Sequence, residues 1–378
     1  MRTALPLLLA FAACKRAPTP ATPRPAAPAV QAPTARPAGP RPTTSPVVIL
    51  VTLDGVRPKE FFGHPDPTLC GEAPARGTPE CTRQGYLFDR TLADHATRGF
   101  LWGAPESNTE ANVANAALLS LPAYQTIFTG APTACADNNC PRVTSETLGE
   151  RLVREGHFAR DDAAFFASWE AMPRAVERAP GATLCNAGFA PASDPAANQG
   201  ELTAINERQL ADRPPWQGAR GDWWTMVHAL RHLRDHRPRF LYIGLNDADE
   251  WAHRGDYRQY LGSLRLYDEW IGRLLTMLDG MGDYGRHATV FLTTDHGRGD
   301  GPRWRDHGPD TPEARAVFLL AIPPGDPARR TVRTRAVTHL DLRPTVEAIF
   351  GLAPVACAGC GHPIAEVVDA ARAAGDAP

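Results

Sequence analysis

The chain has 378 residues, 43% of them hydrophobic and 22% charged, the balance of an ordinary globular protein with room for a sizeable core. Its formal net charge is -2, its only lysines are Lys15 and Lys59, and the remaining positive charge is dispersed arginine. That distribution offers no polybasic face and excludes a nucleic-acid-binding role read from charge.

At the start, "MRTALPLLLAFAACKR" sets Arg2 before an apolar core from Ala4 to Ala13, and small residues lead into Cys14. The core is too short to span a bilayer permanently, so residues 1 to 14 read as a signal peptide. "FAAC" is similar to a bacterial lipobox, although Phe11 is less usual there than Leu. That resemblance implies that Cys14 becomes the lipidated first residue of a lipoprotein on the periplasmic side of the cell envelope. A plain secretory signal is the alternative, and both readings export the chain. Residues 15 to 46 are mostly Pro, Ala and Thr with almost no large apolar side chain, which predicts a disordered, extended tether. Residues 47 to 378 then suffice for one large α/β domain.

Within that domain, "PVVILVTLD" (46 to 54), "AAFFAS" (163 to 168), "RFLYIGLND" (239 to 247), "ATVFLTTD" (288 to 295) and "AVFLLAIP" (316 to 323) read as buried strands. Between them, "SETLGERLVREG" (145 to 156) reads as a helix opening at Ser145, without the Glu that would complete a capping box at Leu148. "GDWWTMVHALRHLRDH" (221 to 236) and "DYRQYLGSLRLYDEWIGRLLTMLDGM" (256 to 281) carry apolar residues at helical spacing. Strands alternating with helices predict an α/β fold with a mainly parallel central sheet and helices on both faces. The histidines at 228, 232 and 236 recur on a helix rich in Arg, so a solvated face is expected rather than a metal stripe. Trp223 and Trp224 are expected in the core.

Setting Cys14 aside leaves seven cysteines. Three local pairs suggest themselves, Cys70 with Cys81, Cys135 with Cys140 and Cys357 with Cys360, and Cys185 is left free. The "CAGC" at 357 to 360 could instead be a redox or metal pair, but no second such pair accompanies it, and disulfides suit an exported chain.

Reactive groups in a parallel sheet gather beyond the carboxyl ends of its strands. Here the first strand ends in Asp54, the third runs into Asp249 and His253, and the fourth ends in Asp295 and His296. One strand-end Asp is usually a turn or a cap; three, two of them with histidines, point to a shared metal site. Asp249 and His253 are one helical turn apart and can face one ion. Asp295 and His296 are adjacent and reach one pocket only from an irregular loop, which Gly297 permits. His307 in "WRDHG" completes three carboxylates and three imidazoles, about the ligand number of two ions with open positions. Ser120 in "ALLSLPAYQTIFTG" stands at a helix start, where backbone amides favour an anion, and supplies a hydroxyl that a metal could activate.

These segments together resemble the alkaline phosphatase superfamily, and within it the nucleotide pyrophosphatase/phosphodiesterase and sulfatase-like branch. "VTLDGVRPKEF" resembles its opening strand and first metal-binding Asp, "SLPAYQTIFTG" its nucleophile helix, "DADEWAH" its Asp–His metal motif, "TTDHGRG" its Asp-His-Gly motif, and "THLDLRPTVEAIFG" a segment near the end of many members. The resemblance implies one metal on Asp54, Asp295, His296 and the Ser120 oxygen, and another on Asp249, His253 and His307, with His339 the rival to His307. It implies two divalent ions, zinc foremost, and Ser120 as the nucleophile of a hydrolase acting on a small-molecule or head-group phosphate ester. Asn138 and Asn139, in "CADNNC", lie where relatives often place an Asn that touches a phosphoryl oxygen; a polar turn is the alternative. Tyr124 occupies the position where sulfatases carry the Arg of their modification motif, which weighs against sulfate-ester hydrolysis. Other readings are a sulfatase or phosphoryl transferase of the same superfamily, or a catalytically silent binding lipoprotein. Arg57, Arg98 and Arg298 have no motif that assigns them a role.

Overall fold

The computed structural model describes residues 45–70, 81, 88–91, 99–104, 109–324 and 335–375. The signal peptide with Cys14, the tether up to residue 44, and Arg98 lie outside the described residues.

A seven-stranded sheet forms the centre, in the order β2-β9-β7-β1-β6-β4-β5. Its strands are β1 (Val47–Leu53), β2 (Phe100–Trp102), β4 (Ala163–Ala167), β5 (Leu184–Ala187), β6 (Phe240–Leu245), β7 (Ala288–Thr293) and β9 (Leu319–Ile322). Five adjacent strands, from β7 to β5, run parallel, and β9 pairs antiparallel with both β7 and β2 at one edge. A second sheet joins β3 (Ala111–Asn112), β8 (Ala316–Val317) and β10 (Val337–Thr338) in the order β10-β3-β8.

Alternation along the strands builds two cores. From β1, Val48 and Leu50 face one core, and Val47, Ile49, Val51 and Leu53 face the other; in β6, Phe240 and Tyr242 oppose Leu241, Ile243 and Leu245. Both faces are therefore apolar, which is why these strands read as unbroken hydrophobic runs. Each fully buried Val, Leu, Ile or Phe contributes about 1.5–3 kcal/mol. Helices Ser120–Thr129, Leu148–Arg154 and Leu342–Ile349 cover the first face. Helices Asp222–His236 and Tyr257–Asp279 cover the second, so the expected α/β sheet with helices on both faces is present.

Four expectations need correction. The run from 316 to 323 splits into β8 and β9 at Phe318, which turns inward to stack on Phe61 at a centroid distance of 3.7 Å. The helix expected from Ser145 starts at Leu148, because Thr147 forms the capping box with Glu150. His228 and His232 are buried, not solvated. Their Nε2 atoms bond to Gln209 Oε1 and to the Asp161 carbonyl, and burial brings them down to about 3 and about 4, so both rings are neutral. Trp223 is 50% exposed, whereas Trp224 is buried with its indole N–H donating to Asp212.

The expected pairs Cys70–Cys81, Cys135–Cys140 and Cys357–Cys360 are disulfides, and Cys185 is free. Among the described residues no helix is long and apolar enough to cross a membrane.

Candidate metal centre

Register fixes where the carboxylates meet. Leu53 of β1 pairs with Leu245 of β6, and Thr52 pairs with Thr293 of β7, so the three strands end together. Asp54 follows β1 directly, the short helix Asp247–His253 follows β6, and Asp295 lies two residues beyond β7. Gly55 adopts a left-handed φ of +64°, and a Cβ there would stand 2.7 Å from both Asp249 Oδ1 and Arg298 Nη2; only glycine lets these groups close on one another. Gly297 is required for space rather than for a left-handed turn, since a Cβ on it would meet the Ala316 carbonyl at 2.5 Å.

The first cluster is Asp54, Asp295 and His296, all buried. Asp295 Oδ1 accepts from the Gly55 and His296 amides at 3.0 and 2.9 Å, which leaves Oδ2 with no hydrogen-bond partner. Asp54 Oδ2 accepts from the Tyr124 hydroxyl at 2.9 Å, and its Oδ1 likewise has no partner. The His296 Nδ1–H donates to the Gly297 carbonyl at 2.9 Å, which fixes the tautomer and leaves Nε2 a lone pair. That lone pair lies 3.6 Å from Asp54 Oδ1 and 3.5 Å from Asp295 Oδ2. Three lone-pair atoms converging in a buried space is the donor set of a divalent cation, and a backbone acceptor behind the imidazole is the usual support of a histidine ligand.

The second cluster adjoins the first. His307 Nδ1 bonds to the Leu118 carbonyl at 3.2 Å, so its Nε2 is free to face His253 Nε2 at 3.0 Å. His253 Nε2 in turn lies 3.2 Å from Asp249 Oδ2. The other Asp249 oxygen is taken by the buried Arg298, which also donates from Nε to the Gly55 carbonyl. His296 and His307 stack at 3.9 Å, and the ligand atoms of Asp249, His296 and His307 also converge on one space, so His296 is common to both clusters. His339 is elsewhere: it is buried behind the strand ends, with Nε2 on the Thr294 carbonyl.

Electrostatics agree with that donor set. Burial, then the neighbouring Asp295 carboxylate, pushes Asp54 well above its ordinary value, and burial lifts Asp295 to about 6. Burial first, then His296 and Arg298, holds the His307 imidazole far below its ordinary value. Burial thus disfavours the charged forms of both acids and of the imidazole, a cost that a bound cation would offset.

Ser120 opens the helix Ser120–Thr129, with Leu119 at the N-cap and no side-chain cap there, so Ser120 is not spent on capping. Its Oγ lies 3.2 Å from His296 Nε2. Leu118 is in the left-handed region at φ +49°, unusual for a bulky residue, and turns the chain so that Ser120 faces the cluster; Asn115 Oδ1 holds that turn through the Leu118 amide. Asn138 Oδ1 accepts from the Leu121 amide at 2.9 Å, beside Ser120. Asn139 is exposed, and its amide bonds to Asp137 within the disulfide loop.

Two contacts escaped sequence reasoning. Tyr124 is one helical turn beyond Ser120, and that spacing is the available signal that both share a face. Arg298 has no such signal, because its partner Asp249 is 49 residues away. Arg57 is no site residue: it is buried in a pair with Glu60 and donates to the Gly299 carbonyl.

No protein-family model and no curated protein matches the chain. Among solved structures, the chain is similar to a phosphonate monoester hydrolase of Agrobacterium radiobacter at 14% identity and a TM-score of 0.51, covering 86% of this chain and 77% of that one. A lipoteichoic acid synthase from Listeria monocytogenes superposes at 10% identity and a TM-score of 0.53, covering 86% and 76%. A 2-O GAG sulfatase does so at 15% identity and 0.51, covering 86% and 74%. The chain therefore shares its fold with these two hydrolases and this synthase.

Proposed function

We propose that the chain is a metal-dependent hydrolase of phosphate esters in which Ser120 is the nucleophile and two divalent ions, zinc foremost, are the cofactors. The observation that carries this reading is Ser120 Oγ at 3.2 Å from His296 Nε2, beside the unpartnered Asp54 Oδ1 and Asp295 Oδ2. Asp54, Asp295, His296 and Ser120 would hold one ion, and Asp249, His253 and His307 the other. Bound there, divalent ions supply Lewis-acid charge stabilisation and lower the pKa of a neighbouring hydroxyl.

In this reading the Ser120 hydroxyl gives its proton to solvent and Oγ attacks phosphorus in line, so that an Oγ–P bond forms as the bond to the leaving oxygen breaks and that oxygen takes up a proton; water then attacks phosphorus, breaks the Oγ–P bond and restores the hydroxyl. The Asn138 carboxamide, held by Leu121 through Oδ1, keeps its amino group for a phosphoryl oxygen. The protein around them excludes water from the buried carboxylates. Substrates are small-molecule or head-group phosphate esters, and the leader with Cys14 supports export and lipid anchoring at the bacterial envelope.

The test is metal content of the full chain together with hydrolysis of para-nitrophenyl phosphate, its bis-ester and the sulfate. Two ions and preference for a phosphate ester would support the reading. Preference for the sulfate would make the chain a sulfatase; neither metal nor turnover would make it a silent binding lipoprotein.

A further inference from the structure

Asp54 is held from behind by neutral hydroxyls rather than by a cation. The Tyr124 hydroxyl donates to Asp54 Oδ2 at 2.9 Å, and the hydroxyls of Tyr242 and Thr52, bonded to each other at 2.7 Å, are among the polar groups that act on Tyr124. All three side chains are buried, with Tyr124 1% exposed. The row has its own clearance in the sheet: Gly244, paired with Thr52, would place a Cβ 2.5 Å from the Tyr242 hydroxyl if it were any other residue. A carboxylate with one oxygen so occupied can offer only the other, and that oxygen, Oδ1, is the unpartnered one facing His296.

We propose that Tyr124, backed by Tyr242 and Thr52, is a positioning residue that fixes Asp54 as a one-oxygen ligand and sets the affinity of the Asp54–Asp295–His296 site for a divalent cation. This rests on the metal-binding reading of that site. Hydrogen-bond partners one shell out from a ligand are typically worth roughly 10–100-fold in metal affinity.

The test is competition titration of the metal-stripped full chain with zinc against a chromophoric chelator. Tyr124→Phe removes only the hydroxyl and should weaken one of the two sites by about 10–100-fold while leaving the affinity of the other unmoved. Tyr242→Phe should act in the same direction by less, and serves if Tyr124→Phe does not fold. In an Asp54→Asn background, Tyr124→Phe should have no further effect on zinc affinity, since its route through Asp54 is gone. Wild-type affinity at both sites in Tyr124→Phe, beside a wild type that binds two ions, overturns the role of Tyr124 alone. A wild type that binds no zinc overturns the metal reading and this inference with it.

Discussion

The Nε2 atoms of His253 and His307 face each other across 3.0 Å, while Nδ1 of His307 is already committed to the Leu118 carbonyl. Two imidazole lone pairs repel at that distance unless a proton or a cation lies between them. A neutral His307 can accept an N–H from His253 there, and where an ion binds, both rings would turn their lone pairs to it. His307→Ala should therefore lower zinc content from about two ions per chain to about one, with the Asp54 cluster still loaded. Elemental analysis after dialysis measures this, and an unchanged two ions would remove His307 from the ligand set.

Metal uptake should fall off in mild acid. Asp295 titrates at about 6 in the folded, metal-free chain, because burial outweighs the Gly55 and His296 amides that lower it. An unfolded Asp titrates near ~3.9, so the retained proton stabilises the metal-free fold fully below that pH, and this contribution is lost as pH rises through about 6. A cation must displace the proton, so the rise in melting temperature on adding zinc should grow between about pH 5 and about pH 7. Scanning fluorimetry across that range reads it; a zinc effect that is flat or shrinks with pH would contradict the buried carboxylate ligand.

Asn138 and Asn139 are adjacent yet should differ. Asn138→Ala removes the acceptor for the Leu121 amide and should cost about 1 kcal/mol of stability, as loss of a helix cap does, with a drop in turnover. Asn139→Ala should change neither, since no hydrogen bond from its side chain reaches the Ser120 helix. Equal losses in the two variants would return the disulfide loop to a purely structural role.

Reducing the Cys135–Cys140 bond should act through the same contact. The bond closes the loop that carries Asn138, so reduction should lower turnover in the wild type and have little effect in Asn138→Ala. A reductant effect of the same size in both would place the loss elsewhere.

What was legible in the sequence follows from burial geometry. β1, β4, β6 and β7 are buried on both faces, so each appears as an unbroken apolar run. β2, β3, β5 and β10 have two to four residues and exist through pairing with distant partners, which local pattern does not carry. Asp54, Asp249 with His253, and Asp295 with His296 stand at strand ends or one turn beyond them, where position alone marks them. The Tyr124–Asp54 and Arg298–Asp249 contacts were not legible, because they join segments 70 and 49 residues apart. The buried His228 and His232 were misread for a related reason: an Arg-rich helix looks solvated until the Gln209 and Asp161 segments cover one side of it.

Acid-quenched turnover of the bis-para-nitrophenyl ester, followed by peptide mass spectrometry, tests the central claim most directly. The expected result is a phosphoryl-ester mass on the peptide containing Ser120 in the wild type. In Ser120→Ala that adduct should vanish and turnover should drop by roughly 10³-fold or more, with zinc content retained. Turnover at the wild-type rate in Ser120→Ala, or an adduct on another residue, would contradict a seryl nucleophile at this centre.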